Sequence, residues 1–211
     1  MSKADPSLAK WLHAWNGYRH YCFSNLIFED RVRHKKGLMF NKAHFVLSSP
    51  EDSFLRAFTE GLLLYPEFKL QGRRICVRSV EILPSIEFGE RVRFVTLSPI
   101  ILKTKRMVDG ELKERELYPR EGKWHENLHS NLVARFEDFY GRPPEKDFFE
   151  VIKIRSFKGK RIKIAGDYRR CSLLDFDVQA SEELIRFAYD AGLGEKNAMG
   201  FGCVEVEGRC S

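Results

Sequence analysis

The apolar residues of the first half of the chain follow a strand pattern and then a helical one. Stretches of strand composition lie at 20–28 and 42–49. Apolar residues then recur at helical spacing, at Phe54, Leu55, Phe58, Leu62 and Tyr65. Ser49 is predicted as the N-cap of this helix and Pro66 marks its end. An alternating strand is predicted at 73–83.

The second half repeats this order with longer elements. A single long strand is predicted at 91–105, followed by a charged hairpin whose turn is Asp109-Gly110. A helix is predicted at 124–140 and closes at Gly141. The remaining elements are a hairpin at 148–170 with its turn at Lys158-Gly159, a strand at 173–180, a helix from Ser181 to Ala191 and a strand near the chain end.

The order of these elements predicts the fold class. Helices that separate strands twice over predict an α+β protein with two tandem ferredoxin-like (RRM-like, βαββαβ) domains. The stretch at 85–90 is the predicted linker, so the domains are 1–85 and 86–211. The second domain contains the basic hairpin and a glycine-rich loop. A chain of 211 residues is long enough for this arrangement.

Charge, cysteine content and hydropathy indicate the kind of partner and the compartment of the protein. The formal net charge is +6 and the pI is near 9.1, which favours a polyanionic partner. Five cysteines form no C-x-x-C pair and their number is odd, so we expect reduced thiols in a cytoplasmic protein. No apolar run approaches the length of a membrane span and the N-terminus lacks a signal core, so no membrane segment is predicted.

The sequence GLGEKNAMGFG, residues 192–202, concentrates glycines near the chain end. Its candidate phosphate-binding residues are Gly192, Gly194, Lys196, Asn197, Gly200 and Gly202. Neither the Walker spacing nor the dinucleotide fingerprint is present. A helix C-cap at Gly192 would explain only one or two of the glycines. Backbone N–H groups cleared of side chains, with Lys196 as a counter-charge, would bind phosphates.

The hairpin at 148–170 carries a dense group of cations. They are Lys153, Arg155, Lys158, Lys160, Arg161, Lys163, Arg169 and Arg170. On the returning strand only Asp167 opposes them. Alternation places Ile152, Ile154, Ile162 and Ile164 on one face and the cations on the other. A solvated strand face is the alternative, but Phe157 and Tyr168 among the cations favour an RNA-binding face.

Two further motifs carry candidate chemistry. HENLH matches the zinc-protease signature, with His125 and His129 as ligands and Glu126 as general base, but no third ligand is evident. In WLHAWNGYRHY, at 11–21, a histidine beside an arginine suits phosphodiester chemistry. An aromatic cluster with a structural histidine is the alternative there, and composition alone favours it.

The glycine loop, TEGLLLYPEFKL at 59–70 and VTLSPI at 95–100 together resemble the repeat-associated RAMP superfamily. Within it, the chain is similar to the CRISPR-associated endoribonucleases that cut repeat RNA into guides, the "Cas six" group. The resemblance implies two tandem ferredoxin-like domains and cleavage that needs no metal or cofactor. In such cleavage the 2′-OH of the RNA attacks the adjacent phosphate, leaving a 2′,3′-cyclic phosphate and a free 5′-OH.

The resemblance also assigns candidate catalytic residues. Members often use a histidine near the end of the first helix, and His13 occupies that place. Arg19 matches a basic position that neutralises charge on the phosphorane. A strand and a helix that often carries a tyrosine usually precede this histidine, and only twelve residues do so here. We therefore expect an incomplete first domain, with Tyr18 or His20 as substitutes for the tyrosine.

The partners follow from the same resemblance. CRISPR repeat RNA is the expected ligand, and a CRISPR effector complex is an expected assembly. A sheet edge left exposed by the missing strand favours pairing with a second copy of the chain. A non-catalytic protein of the same fold that only holds repeat RNA is the alternative function, and a zinc hydrolase is a distant one.

Overall fold

The computed structural model describes residues 17–35, 37–70, 72–164 and 166–207. His13 and the rest of residues 1–16 lie outside this description, as does Cys210. No helix within the described residues is long and apolar enough to span a membrane.

One helix and short antiparallel pairs of strands make up the described secondary structure of the N-terminal half. The pairs are β1 (Cys22–Phe23) with β6 (Leu47–Ser48), β2 (Ile27–Phe28) with β5 (Ala43–His44), β3 (Arg31–His34) with β4 (Gly37–Phe40), and β7 (Glu67–Leu70) with β8 (Arg73–Cys76). The two predicted strands at 20–28 and 42–49 thus pair, but Ser24 interrupts the ladder. Its hydroxyl accepts the Val46 N–H at 2.9 Å, so a side chain replaces one step of strand pairing.

Helix α1 (Asp52–Leu64) ends as predicted, before Pro66, but it begins later than predicted. The N-cap is Glu51, so the assignment of Ser49 was wrong. The Ser49 hydroxyl accepts the Glu51 N–H at 3.1 Å and donates to the His20 carbonyl at 2.6 Å. It therefore ties the start of the helix to the segment before β1.

The C-terminal half shows the ferredoxin-like order directly. Its elements are β9 (Arg91–Thr96), α2 (Gly122–Tyr140), β12 (Phe149–Ile164), β13 (Asp167–Ala180), α3 (Glu182–Ala191) and β14 (Val204–Val206). The sheet order is β12-β13-β9-β14, which is the antiparallel arrangement of a βαββαβ domain. The main core lies between this sheet and the two helices, around Trp124, Leu128, Phe176 and Phe187.

A hairpin of β10 (Lys103–Val108) and β11 (Glu111–Glu116) is inserted between β9 and α2. Its predicted turn is confirmed, because Asp109 and Gly110 have φ values of 54° and 78°. The single strand predicted at 91–105 was wrong, since the chain leaves the sheet after Thr96. Pro99 lacks an N–H for strand pairing, which accounts for a break there.

The turn predicted at Lys158-Gly159 was also wrong. Lys158 pairs with Leu173 and Gly159 with Ser172 inside one continuous ladder, and the chain reverses beside Gly166. A Cβ on Gly159 would lie 3.5 Å from the Tyr118 hydroxyl, so this glycine packs against a side chain. The stretch at 77–90, which includes the predicted linker, forms no helix or strand, and the boundary after residue 85 stays a prediction.

Candidate nucleic-acid interface

The glycine-rich loop, residues 192–202, packs against the protein itself. Gly202 has a φ of 72°, and a Cβ built on it would overlap the carbonyl oxygen of Leu193. A Cβ on Gly200 would lie 2.8 Å from the ring of Phe23. The close approach that these glycines permit is therefore made by neighbouring protein atoms.

Hydrogen bonds within the protein hold this loop in place. The buried Asn197 amide donates to the carbonyls of Leu193 and Phe201, both at 3.1 Å. The N–H groups of Gly200 and Gly202 donate to Asn197 and Pro99. The donors of these three predicted phosphate ligands are thus committed inside the molecule, and Gly192 and Gly194 are buried with them.

Lys196 differs from its neighbours in the loop. It is half-buried and has a φ of 62°, the left-handed conformation that a side chain adopts only at some cost. No ion pair joins it to an acidic residue in the described part of the chain. Its charge remains a predicted contact for a phosphate.

Arg135 supports the start of the loop and was not found from the sequence. Its fully buried guanidinium donates to the carbonyls of Ala191 at 2.6 Å and Gly192 at 2.8 Å, at the C-terminal end of α3. Burial lowers its pKa to about 10. The only available signal was an arginine on the apolar face of α2, in line with Leu128 and Leu132.

Strand β1 docks on the glycine loop. A Cβ on Gly192 would lie 2.8 Å from the Cβ of Cys22, and the Phe23 ring covers Gly200. Because β1 follows directly after the segment at 17–21, the loop fixes where Tyr18, Arg19 and His20 lie. The absence of a side chain at Gly192 and at Gly200 is what allows this close packing.

His20 is a packed histidine. Its Nε2 lies 2.9 Å from Asp138 Oδ2, and its ring meets Phe139 edge-on at 5.1 Å. The side chain is 12% exposed and its Nδ1 is buried without a hydrogen-bond partner. Burial lowers its pKa, against the opposing effect of Asp138. In this conformation Nδ1 is buried and Nε2 is engaged by Asp138.

Tyr18 and Arg19 lie beside this packed histidine. The Tyr18 ring is exposed, and its centre is 6.4 Å from that of His20. Burial raises the pKa of Tyr21, and the positive charge of Arg19 offsets part of this rise. The Arg19 guanidinium therefore lies near the Tyr21 phenol. Arg19 is half-buried. The catalytic roles of Arg19 and Tyr18, and that of His13, stay predictions.

The two faces of hairpin β12–β13 differ from the predicted arrangement. Register shifts after Val151 and Ile154 change the alternation, so Ile152 is 49% exposed. Ile154 packs against the main core, whereas Ile162 and Ile164 pack against Ile101, Cys171 and Phe201. The predicted single isoleucine face was therefore wrong. Lys158 and Lys160 share the face of Ile162, and Arg161 and Lys163 lie on the other.

Acidic residues neutralise part of this hairpin. Arg155 pairs with Asp177 at 2.8 Å, and Arg169 pairs with Glu116 at 3.3 Å. Asp167 is the one acid on the returning stretch up to residue 170, but acids from farther along β13 and from β11 also pair with the hairpin cations. No described acid forms an ion pair with the remaining six, which are Lys153, Lys158, Lys160, Arg161, Lys163 and Arg170.

The HENLH residues at the start of α2 have separate partners. His125 Nε2 lies 2.8 Å from the Pro119 carbonyl, and His129 Nε2 lies 2.6 Å from Asp147. Glu126 pairs with Lys123. Within the described ranges, no three His, Cys, Asp or Glu side chains lie together as a ligand set. The zinc interpretation therefore gains no support from the arrangement.

Two ferredoxin-like domains, a loop clamped against both halves and a basic hairpin define an RNA-binding class of α+β protein. The N-terminal profile of CRISPR-associated protein Cas6 matches residues 1–81, and its C-terminal profile matches residues 83–206. The chain belongs to the Cas6 family. This confirms the predicted fold class and the predicted family.

Individual relatives cover nearly the whole chain. The CRISPR-associated endoribonuclease Cas6 1 of Methanocaldococcus jannaschii is 38% identical over 95% of this chain and 79% of its own length. The endoribonuclease-like protein Cas6nc of Pyrococcus horikoshii is 30% identical over 98% of this chain and 86% of its own. A solved RAMP protein described as binding different RNA substrates is 29% identical, with a TM-score of 0.86 and coverage of 97% and 85%.

Proposed function

We propose that this chain is an endoribonuclease that binds CRISPR repeat RNA and cleaves it into guide RNAs. The observation that carries the proposal is the 38% identity to a CRISPR-associated endoribonuclease over 95% of the chain. The six cations of hairpin β12–β13 that lack an acidic partner among the described residues supply charge for RNA phosphates.

The proposed reaction needs no metal, because the nucleophile is part of the substrate. The 2′-oxygen forms a bond to the adjacent phosphorus while the bond from phosphorus to the 5′-oxygen breaks. His13 accepts the proton of the 2′-OH, the departing 5′-oxygen takes up a proton and leaves as a free 5′-OH, and Arg19 neutralises the charge that grows on the phosphorane. The docking of β1 on the glycine loop holds Arg19 in one place for this role.

A non-catalytic protein that only holds repeat RNA is the second candidate. It is favoured by the packing of His20, whose Nδ1 is buried and whose Nε2 is bonded to Asp138. The similarity to Cas6nc, an endoribonuclease-like protein by name, supports the same candidate. In this case the chain would bind repeat RNA without cutting it.

Labelled repeat RNA distinguishes the two candidates in one gel assay. Cleavage should persist in EDTA and disappear when the scissile nucleotide carries a 2′-deoxy sugar. His13→Ala should slow cleavage by about 10²–10⁴ and leave RNA affinity nearly unchanged. His34→Ala, at an exposed histidine of hairpin β3–β4, is the matched control.

Three outcomes would change the proposal. Binding of repeat RNA without any cleavage by the wild type would favour the holder. Equal cleavage by His13→Ala and wild type would make the assignment of His13 wrong. Activity that EDTA abolishes and zinc restores would favour His125, Glu126 and His129.

The proposal extends to location and assembly. Cys22, Cys76, Cys171 and Cys203 are all free thiols, which fits the reducing cytoplasm. We infer that the chain delivers guides to a CRISPR effector complex and pairs with a second copy of itself. Light scattering of the purified protein, alone and with repeat RNA, would measure the pairing.

A further inference from the structure

The distal half of hairpin β12–β13 has two faces that the strand register defines. From Ser156 opposite Asp175 to Ile164 opposite Asp167 the register is continuous. Alternate residues therefore lie on the same face. We define the aromatic face by its residues Phe157, Gly159, Arg161, Lys163, Tyr168 and Arg170.

Two exposed rings stand on this aromatic face. Phe157 is 45% exposed and Tyr168 is 59% exposed. The rings of Tyr118 and Phe157 form a T-shaped pair with their centres 5.6 Å apart, next to Gly159. Tyr118 thereby holds Phe157 in place, and Phe157 is still 45% exposed to another partner.

Two cations lie over the ring of Tyr168, the ring nearer the end of the hairpin. The guanidinium of Arg161 lies 5.0 Å from the centre of the Tyr168 ring, and the Lys163 ammonium lies 5.9 Å from it. Neither cation, nor Arg170, forms an ion pair with a described acid. The opposite face carries no aromatic ring; there Arg169 pairs with Glu116 and Asp167, while Lys158 and Lys160 form no ion pair with a described acid. Cations without an acidic partner and exposed aromatic rings therefore occur together on the aromatic face only.

This combination matches the chemistry of an unpaired nucleotide. A base can stack on an aromatic ring whatever its identity, and neighbouring cations bind the phosphates. In a duplex the faces of the bases are covered by their neighbours, so only single-stranded segments can use such rings. Lysines and arginines alone would bind duplex and single strand alike.

We infer that the aromatic face binds a single-stranded segment of the RNA, with separate bases stacked on Phe157 and Tyr168. The inference rests on the proposed function for the identity of the RNA. Lys163, opposite Tyr168, is six residues from Phe157 along β12, which corresponds to roughly 20 Å. The two stacked bases are therefore not adjacent, and the strand crosses the arginines between them.

Fluorescence anisotropy with oligouridylate and a blunt RNA duplex tests this inference. Tyr168→Leu and Phe157→Leu should each weaken oligouridylate binding by about 5-fold to 100-fold. The salt dependence should not change, because no charge is lost. Duplex affinity should stay at the wild-type value. Phe68→Leu, at an exposed aromatic of β7, is the matched control and should bind like wild type.

A second measurement reports stacking directly. An oligouridylate with one central 2-aminopurine should be quenched on binding to wild type and to Tyr168→Trp. The Tyr168→Leu and Phe157→Leu double variant should quench it less at saturation. Thermal melting of each variant should match wild type, since both rings are exposed.

Two results would overturn the inference. One is unchanged oligouridylate affinity in both leucine variants. The other is an equal loss of duplex affinity, which would make the face a general RNA contact. Cleavage of repeat RNA by the wild type is measured separately, so failure of the proposed nuclease activity is distinguishable from failure of this binding site.

Discussion

The glycine-rich loop and hairpin β12–β13 place their glycines in opposite surroundings. Gly202 in the loop has a φ of 72° and faces the Leu193 carbonyl, with no room for a Cβ. Gly166 at the end of the hairpin has a φ of 99° and nothing within 4 Å of a built Cβ. Packing inside the protein constrains the loop, whereas the hairpin is constrained by its own turn and by whatever it binds. A glycine-rich motif therefore indicates that some group approaches the backbone closely, but it does not identify that group.

Gly202→Ala tests the packed region and should have the largest effect. We expect the free energy of unfolding to fall by more than about 3 kcal/mol, because the new Cβ forces the backbone at Leu193 to move. Chemical denaturation measures this. Gly141→Ala is the matched control, since its φ is 67° and its surroundings are open. That variant should lose only about 1 kcal/mol, and equal losses would contradict the comparison.

Removing charge from the hairpin should affect binding and leave stability unchanged. The triple variant Arg161→Gln, Lys163→Gln and Arg170→Gln should flatten the salt dependence of RNA binding by about two units of slope, at ~0.7 per phosphate contact. Its free energy of unfolding should stay within about 0.5 kcal/mol of wild type. Arg155→Gln and Arg169→Gln together form the control. These arginines already have acidic partners, so a comparable flattening there would contradict the difference between the faces.

Asp190 lies in α3, two residues before the glycine loop. The variant Asp190→Asn tests how the stability of this packed region depends on pH. Burial raises the pKa of Asp190 to about 6, above the 3.8 of a free aspartate. The folded state therefore binds more protons between these values, and the wild type loses stability as pH rises through that window. The variant should be more stable than wild type by up to about 3 kcal/mol at pH 8 and equal to it near pH 4. Thermal melts across this range measure the difference. A difference independent of pH would exclude titration of Asp190 as its cause.

Lys196→Gly should have the smallest effects of these variants, favourable for stability and unfavourable for RNA binding. Relief of the positive φ should raise the free energy of unfolding by less than about 1 kcal/mol. Loss of the charge should flatten the salt dependence of RNA binding by about 0.7. Lys196→Ala should show the second effect without the first. If neither variant alters the salt dependence, Lys196 makes no phosphate contact.

Local signals in the sequence were sufficient where the chain forms its structure with near neighbours. Asp109-Gly110 forms the predicted turn, and Gly141 ends α2 with a φ of 67°. Pro66 follows the end of α1 as predicted. In each case the conformational preference of one or two residues decides the outcome.

Distant packing accounts for what the sequence could not predict. Gly159 has the composition of a turn, but it lies in a strand, where it pairs with Ser172 of β13. Ser49 has the chemistry of an N-cap, yet its hydroxyl bonds to His20, 29 residues away. The bulges after Val151 and Ile154 reverse which side chains face the core, and no local pattern reports them. Candidate site residues are the hardest to predict from the sequence, because whether a hydrogen-bond donor is free depends on the whole fold.

Arg135 has a consequence for motion. Its two hydrogen bonds join α2 to the end of α3 and to the first residue of the glycine loop. Opening the loop would expose these carbonyls and leave a charge buried without partners, so the loop moves only when the helices separate. Amide hydrogens of Leu193 and Gly202 should then exchange with solvent as slowly as those of the central strands. A bound RNA would have to bend to fit this part of the surface, while the exposed hairpin is left to adjust to the RNA.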